Sequence, residues 1–198
     1  MVLPLSPVKY FEKNLLDREI DHFASLDIPT FSDLNRIGTA AQVQCGIDEQ
    51  RLARFRCKGL KMDEDALKNE RHCSNRMARQ LTCAGFNRPS QRCDAHAIVS
   101  GNHKFAAQMR AVLAWCKLRV DDHHNGCWLP RSREDRPHMP SFLQKAVPHK
   151  NIHTHAYYEW LEGYINPISI TSLNELVETL RRIRFRLQSG SIPQHIFA

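Results

Sequence analysis

Through the first 90 residues, apolar side chains recur at helical spacing. Val8, Phe11, Leu15 and Phe23 share one face of a segment that Ser6-Pro7 opens. The stretch Leu26-Asp27-Ile28-Pro29-Thr30 breaks it. Thr30 and Asp33 then form a T-x-x-D start for a second helix carrying Phe31, Leu34 and Ile37. A third is expected from Asp48 to Lys58, with Leu52 and Phe55 inward and a stop near Gly59. A fourth is expected from about Glu64 to Cys83, with Leu67, Met77 and Leu81 inward and Gly85 ending it. Residues 87–92 read as a turn.

The texture then changes. Residues 95–99 are short and β-like. Residues 103–118 are amphipathic through Phe105, Met109, Val112 and Cys116. Residues 123–130 read as an Asn125-Gly126 turn entering a short strand that Pro130 closes. With Asn125 in that turn, a left-handed backbone is expected there. Residues 131–147 are polar and contain prolines, so a loop is expected, with helix resuming by about Thr154. A last helix opens on the capping box Ser172-x-x-Glu175 and ends at Gly190. Its apolar face is Leu173, Leu176, Leu180, Ile183 and Leu187; its other face carries Arg181, Arg182, Arg184 and Arg186.

The length, 198 residues, suits one domain with a small helical extension. A charged fraction of 25% beside 42% hydrophobic residues fits a globular protein in water. The net charge of +7 suits an anionic partner: nucleic acid, an acidic protein or a membrane surface. The cysteines number seven, and no pair has C-x-x-C spacing. A disulfide framework is therefore not expected, and reduced thiols in a cytoplasm are. His72, Cys73, Cys83 and Cys93 lack the regular spacing of a zinc site, so the cysteines read as small buried hydrophobes. Residues 1–13 show no basic segment followed by an apolar one, so no signal peptide is expected. No apolar run approaches the ~18 residues of a membrane span.

Histidine is where the chemistry concentrates. Eight of the eleven histidines fall between residues 96 and 155. His149 and His153 are four apart, so they share one helical face or flank a helix start, and either placement lets them share a metal ion. His96 stands on the first strand; a second strand and then the pair follow. Strand, strand and helix around one divalent ion is the ββα-metal arrangement of nonspecific nucleases.

Residues 81–99 (Leu-Thr-Cys-Ala-Gly-Phe-Asn-Arg-Pro through Asp-Ala-His-Ala-Ile-Val), the amphipathic helix, Asn125-Gly126-x-x-Leu129-Pro130 and His149-x-x-x-His153-Thr154-x-x-Tyr157-Tyr158 stand in a fixed order. That ordered set, over about residues 78–165, resembles the AHH nuclease family of the HNH/endonuclease VII superfamily, toxin modules of bacterial polymorphic toxin systems. The resemblance implies an α+β, mainly helical fold: a ββα-metal (HNH-like) core at 76–168, a helical N-terminal extension at 1–75, and a C-terminal helix, 169–198, packed on the core. It makes His96, His149 and His153 the metal ligands, with His155 the substitute if the register shifts by two. Asn125 becomes the middle Asn of the HNH motif, a catalytic-site residue that orients the base through backbone contacts and shapes the loop. His124, Arg131, Arg133 and Arg136 become candidates for phosphate contacts.

The departure is Ala97. The family pattern is Ala-His-His, and its second histidine is the general base that takes a proton from the attacking water. Alanine cannot, so the resemblance implies an inactivated nuclease, whether the histidine was replaced deliberately or lost naturally. It further implies one divalent ion, Zn or Ni as bound, with Mg or Mn supporting turnover. The implied partners are nucleic acid, DNA ahead of RNA, and an acidic immunity protein; no membrane is implied. Synthesis in a bacterial cytoplasm and delivery by a specialised secretion system into a target cell follow from the same resemblance. The competing readings are a non-catalytic metal-stabilised nucleic-acid-binding module and a helical protein-interaction domain with incidental histidines.

Overall fold

In the computed structural model, which describes residues 13–196, Asn14 caps the first helix by accepting the Asp17 backbone N–H at 2.8 Å. That helix, α1, is Leu15–Ala24. The expected start at Ser6-Pro7, with Val8 and Phe11, lies outside the described residues. The chain divides into two compact units, one ending at Arg51 and one beginning at Leu52.

In the first unit Thr30 and Asp33 cap each other. The Asp33 carboxylate accepts the Thr30 N–H at 2.9 Å, and the Thr30 hydroxyl accepts the Asp33 N–H at 3.4 Å. The helix they open, α2, runs Phe31–Leu60, so the second and third expected helices are one. Gly38 and Gly46 did not end it: each faces open space and costs a helix only ~1 kcal/mol.

The expected helix Glu64–Cys83, by contrast, is two: α3, Glu64–Lys68, and α4, Ser74–Cys83. The cause lies far away in sequence. Asp121 is fully buried, and its carboxylate takes the Cys73 backbone N–H at 2.9 Å, the His72 ring and the Arg76 guanidinium. A helix running through residues 69–73 would forfeit those bonds. Gly85, at φ +83°, ends α4 as expected, and the Phe86 N–H reaches back to the Leu81 carbonyl at 2.9 Å.

Strands β1, Cys93–Ala97, and β2, Gly126–Pro130, pair antiparallel, with His96 opposite Cys127 and Ala97 opposite Gly126. The first strand starts two residues earlier than its sequence suggests, and Ile98 and Val99 already belong to its exit. Helices cover both faces, so the strands read as nearly continuous apolar runs. Met77 and Leu81 of α4 abut Gly126; Tyr157, on the helix α6 (His155–Glu162), meets His96 on the other face. Helix α7, Leu173–Ser189, packs Leu176, Leu180, Ile183 and Leu187 into the same core, while Leu173 at its first position stays 45% exposed. The architecture is mainly helical with a small antiparallel sheet, an α+β fold.

Two further expectations are corrected. Residues 103–118 form a 3-10 turn, Lys104–Ala106, and then α5, Ala107–Trp115; Met109 and Val112 are buried but Phe105 is exposed, because the turn rotates it off the core-facing stripe. The stretch 131–147 is not a plain polar loop: it contains two 3-10 turns and buries Met139, Leu143, Ala146 and Val147.

A Cβ on Gly126 would meet the Met77 sulfur at 2.3 Å. Gly126→Ala is therefore expected to cost about 1–3 kcal/mol through overpacking, read as a lowered urea midpoint with an unchanged m-value. None of the seven cysteines forms a disulfide, and burial pushes the Cys93 and Cys127 thiols up to about 11 and about 12. Such thiols are inert packing groups, but the expectation of buried cysteines fails elsewhere: Cys45, Cys57 and Cys73 are exposed and Cys83 and Cys116 half-buried. Among the described residues, no helix is long and apolar enough to cross a membrane.

Candidate metal centre

His96 sits in β1 with no exposed surface. Its Nε2 lies 3.3 Å from the Tyr157 hydroxyl, which donates its one proton to the Ile98 carbonyl at 2.9 Å. Toward His96 the tyrosine oxygen can therefore only accept, so Nε2 carries the ring hydrogen. Nδ1 is left with a bare lone pair, buried and without a hydrogen-bond partner. A lone pair orphaned in a core is costly unless a cation takes it.

His149 and His153 supply the neighbours. They flank a helix start rather than share a helical face: His149 opens a 3-10 turn, His149–Asn151, and His153 immediately precedes Thr154, the N-cap of α6. Ring centroids of His96, His149 and His153 are 5.2–5.6 Å apart, and one ligand atom from each lies within 4.8 Å of the others. An ion bound at ~2.0–2.1 Å from each nitrogen needs the rings to close only slightly. Each ring is steered from behind. His149 Nδ1 faces the Asp94 carboxylate at 3.4 Å, and His153 Nδ1 faces the Tyr158 hydroxyl at 2.8 Å. Partners of this kind fix the tautomer of a metal-binding imidazole. Nothing in the sequence marks Asp94, and Tyr157 and Tyr158 figure there only in the stretch His149-x-x-x-His153-Thr154-x-x-Tyr157-Tyr158, with no role toward the histidines.

Burial, then the neighbouring His153 and His149, hold His96 well below the ordinary histidine range. Burial and His149 lower His153 to about 4. Both rings stay neutral at pH 7, the form that binds metals. The unfolded chain protonates these rings near 6.5, before the folded chain does, so acid favours unfolding. Metal-free protein is expected to keep its full stability above pH 6.5 and to lose it progressively toward pH 4, as urea midpoints across that window would record.

The remaining predicted residues are placed as follows. Ala97 is buried in the core opposite Gly126, and strand alternation turns it away from His96. Asn125 is fully buried. Its amide accepts the Val99 N–H at 2.9 Å and donates to the Val99 and Val120 carbonyls at 3.0 and 2.8 Å. It closes a 3-10 turn, His123–Asn125, and the left-handed backbone expected of it is absent: among the described residues the one non-glycine with positive φ is Lys117. Arg131 pairs with Asp94 at 3.3 Å, sharing that carboxylate with His149. Arg136 donates to the Gln144 carbonyl at 2.9 Å, and Arg133 lies in the first turn beyond β2. His155 stands outside the cluster, paired with Glu159 at 3.3 Å. His124 belongs to a second group, with Asp122 and His123; Arg56 contacts its Nε2 at 2.9 Å. His72, Cys73, Cys83 and Cys93 do not converge as a ligand group among the described residues.

The family model described as AHH, a nuclease family of the HNH/ENDO VII superfamily with conserved AHH, matches residues 77–187, more than half of the chain. The chain belongs to the AHH nuclease family. No curated protein and no solved structure matches it. All three converging histidines of this AHH nuclease fall inside the matched span. So does its single Ala-His pair, Ala95-His96, which is followed by Ala97 and not by a second histidine.

Proposed function

We propose that this AHH nuclease is a metal-dependent endonuclease with a ββα-metal core, built from β1, β2 and the start of α6. The observation that carries the reading is His96: a buried, neutral imidazole with a bare Nδ1, met by two more histidines within ligand distance. A divalent ion held by His96, His149 and His153 supplies charge stabilisation to a phosphodiester undergoing hydrolysis. Three imidazoles favour Zn or Ni at rest, with Mg or Mn as turnover ions.

The chain's own residues do the rest. Asp94 and Tyr158 hold the outer ligands, and Asn125 fixes the loop leaving β1. Arg131, at the edge of the cluster, and Arg133, Arg136 and His124 meet backbone phosphates, a sequence-tolerant mode of binding. DNA is the proposed substrate. The net charge of +7 suits both that polyanion and an acidic immunity protein with fast electrostatic association. The setting is a toxin–immunity system, with delivery of the protein into a target bacterium. With Ala97 in place of the motif's second histidine, the usual proton acceptor is missing, and turnover falls below that of an Ala-His-His member.

A second reading rests on that same alanine: a metal-stabilised module that binds nucleic acid without cutting. Supercoiled plasmid incubated with the full chain and Mn²⁺ separates the two. Nicking that EDTA stops supports the nuclease; salt-sensitive binding without nicking supports the module.

A further inference from the structure

The helix break at residues 69–73 presents a group that the metal centre does not use. His72 is partly exposed, and its Nδ1 is hydrogen-bonded to the fully buried Asp121 carboxylate. That bond fixes the ring hydrogen on Nδ1 and leaves Nε2 with a lone pair. The Ser74 hydroxyl approaches Nε2 at 3.3 Å, a long contact that water can replace. Asp121 is itself held by the Cys73 N–H and by Arg76. The charged groups around the ring are Asp121, Arg76 and, beyond Arg76, Glu70 with its partner Arg119. An imidazole oriented by a buried carboxylate is the arrangement of a proton acceptor.

Four consecutive residues after β1 run between the three histidines and the backbone that carries His72. The Ile98 carbonyl accepts from Tyr157, which meets His96. Val99 is clamped by Asn125. Ser100 neighbours Tyr158, whose hydroxyl meets His153 at 2.8 Å. Gly101 lies against the backbone of His72: a Cβ there would be 2.7 Å from the His72 backbone nitrogen and 3.0 Å from its Cβ, so only glycine allows the approach. A charge on His72 would be felt at both His96 and His153.

We propose that His72, oriented by Asp121, accepts the proton of the attacking water, the task that the family motif gives to the histidine missing at position 97. The inference rests on the nuclease reading. His72 Nε2 takes one water proton as the water oxygen forms its bond to phosphorus. The P–O3′ bond breaks, its electron pair leaves on the 3′ oxygen, and that oxygen takes a proton from solvent. The products are a 5′-phosphate and a 3′-hydroxyl, and His72 then releases its proton to solvent.

The test uses the full chain loaded with Mn²⁺, with supercoiled plasmid and bis(p-nitrophenyl) phosphate as substrates. His72→Ala is expected to lower cleavage by ~10²–10⁴-fold at unchanged metal content by elemental analysis. Added imidazole is expected to restore part of the loss, which a merely structural defect would not permit. Ser74→Ala is expected to cut at the original rate. Cleavage by His72→Ala at the original rate, or a loss that imidazole leaves untouched while metal content holds, overturns the proposal. A chain that takes up metal yet cuts neither substrate overturns it too, and leaves the metal centre standing. A chain that takes up no metal overturns the nuclease reading itself.

Discussion

Purified protein is expected to carry about one divalent transition-metal ion per chain, and His96→Ala to carry none. The difference comes from where the three rings sit. His149 and His153 lie on a surface turn and a helix start, but His96 is fully buried and offers the orphaned lone pair. Removing it takes away one of three ligands and the only one fixed by the core sheet. His149→Ala and His153→Ala are expected to act in the same direction. His155→Ala is the control: it is two residues from His153, yet it pairs with Glu159 outside the cluster, so its loss should leave the ion in place. Because the ion binds the folded chain and not a preformed site in the unfolded one, it also stabilises. At a thousand-fold excess over Kd the gain is ~4 kcal/mol. Chelation should therefore lower the melting temperature of the parent protein and leave that of His96→Ala where it was. Elemental analysis and calorimetry with and without EDTA check both. Protein that stays metal-free under every loading condition, or a His155→Ala variant that loses the ion, would refute the assignment.

The three histidines that meet were legible in the sequence because their signal is local: a four-residue spacing, and a single Ala-His pair on a short β-like run. Capping was legible for the same reason. Thr30 with Asp33 and Ser172 with Glu175 each satisfy backbone donors within one turn, and each marks a real helix start. What could not be read depends on distant partners. The break between α3 and α4 exists because Asp121, some fifty residues on, collects His72, Cys73 and Arg76. The fusion of α2 across residues 38–47 shows the reverse: Gly38 and Gly46 face open space and interrupt nothing between the two expected helices. The roles of the tyrosines behind the three histidines were hidden for a third reason. The motif places Tyr157 and Tyr158 on a helix just after His153, but it does not say where their hydroxyls point. Those hydroxyls fix the tautomer of His96 and steer His153, so the chemistry of the site hangs on a detail that the motif does not carry.

Asn125→Ala is expected to be among the most destabilising single substitutions in the chain. The residue is fully buried, and three backbone groups depend on it: the Val99 N–H, the Val99 carbonyl and the Val120 carbonyl. Alanine leaves all three without their partner in a region where water does not reach. An unsatisfied buried donor or acceptor costs ~1–3 kcal/mol, so the sum is about 3–5 kcal/mol once relaxation recovers part of it. Asn125→Asp is nearly the same shape and tests the argument directly. It keeps an acceptor for the Val99 N–H but turns the donor side into a second acceptor facing two carbonyls, so it should be about as damaging as alanine. Urea denaturation reads both. The consequence is not confined to stability. Val99 lies between Ile98, tied to His96 through Tyr157, and Gly101, packed on His72, so releasing it loosens both ends of the loop. Metal affinity should therefore fall in Asn125→Ala even under conditions where the variant is folded, although Asn125 contributes no ligand. A variant that unfolds earlier but binds metal as tightly as the parent would show that the loop is stabilised by Asn125 without being positioned by it.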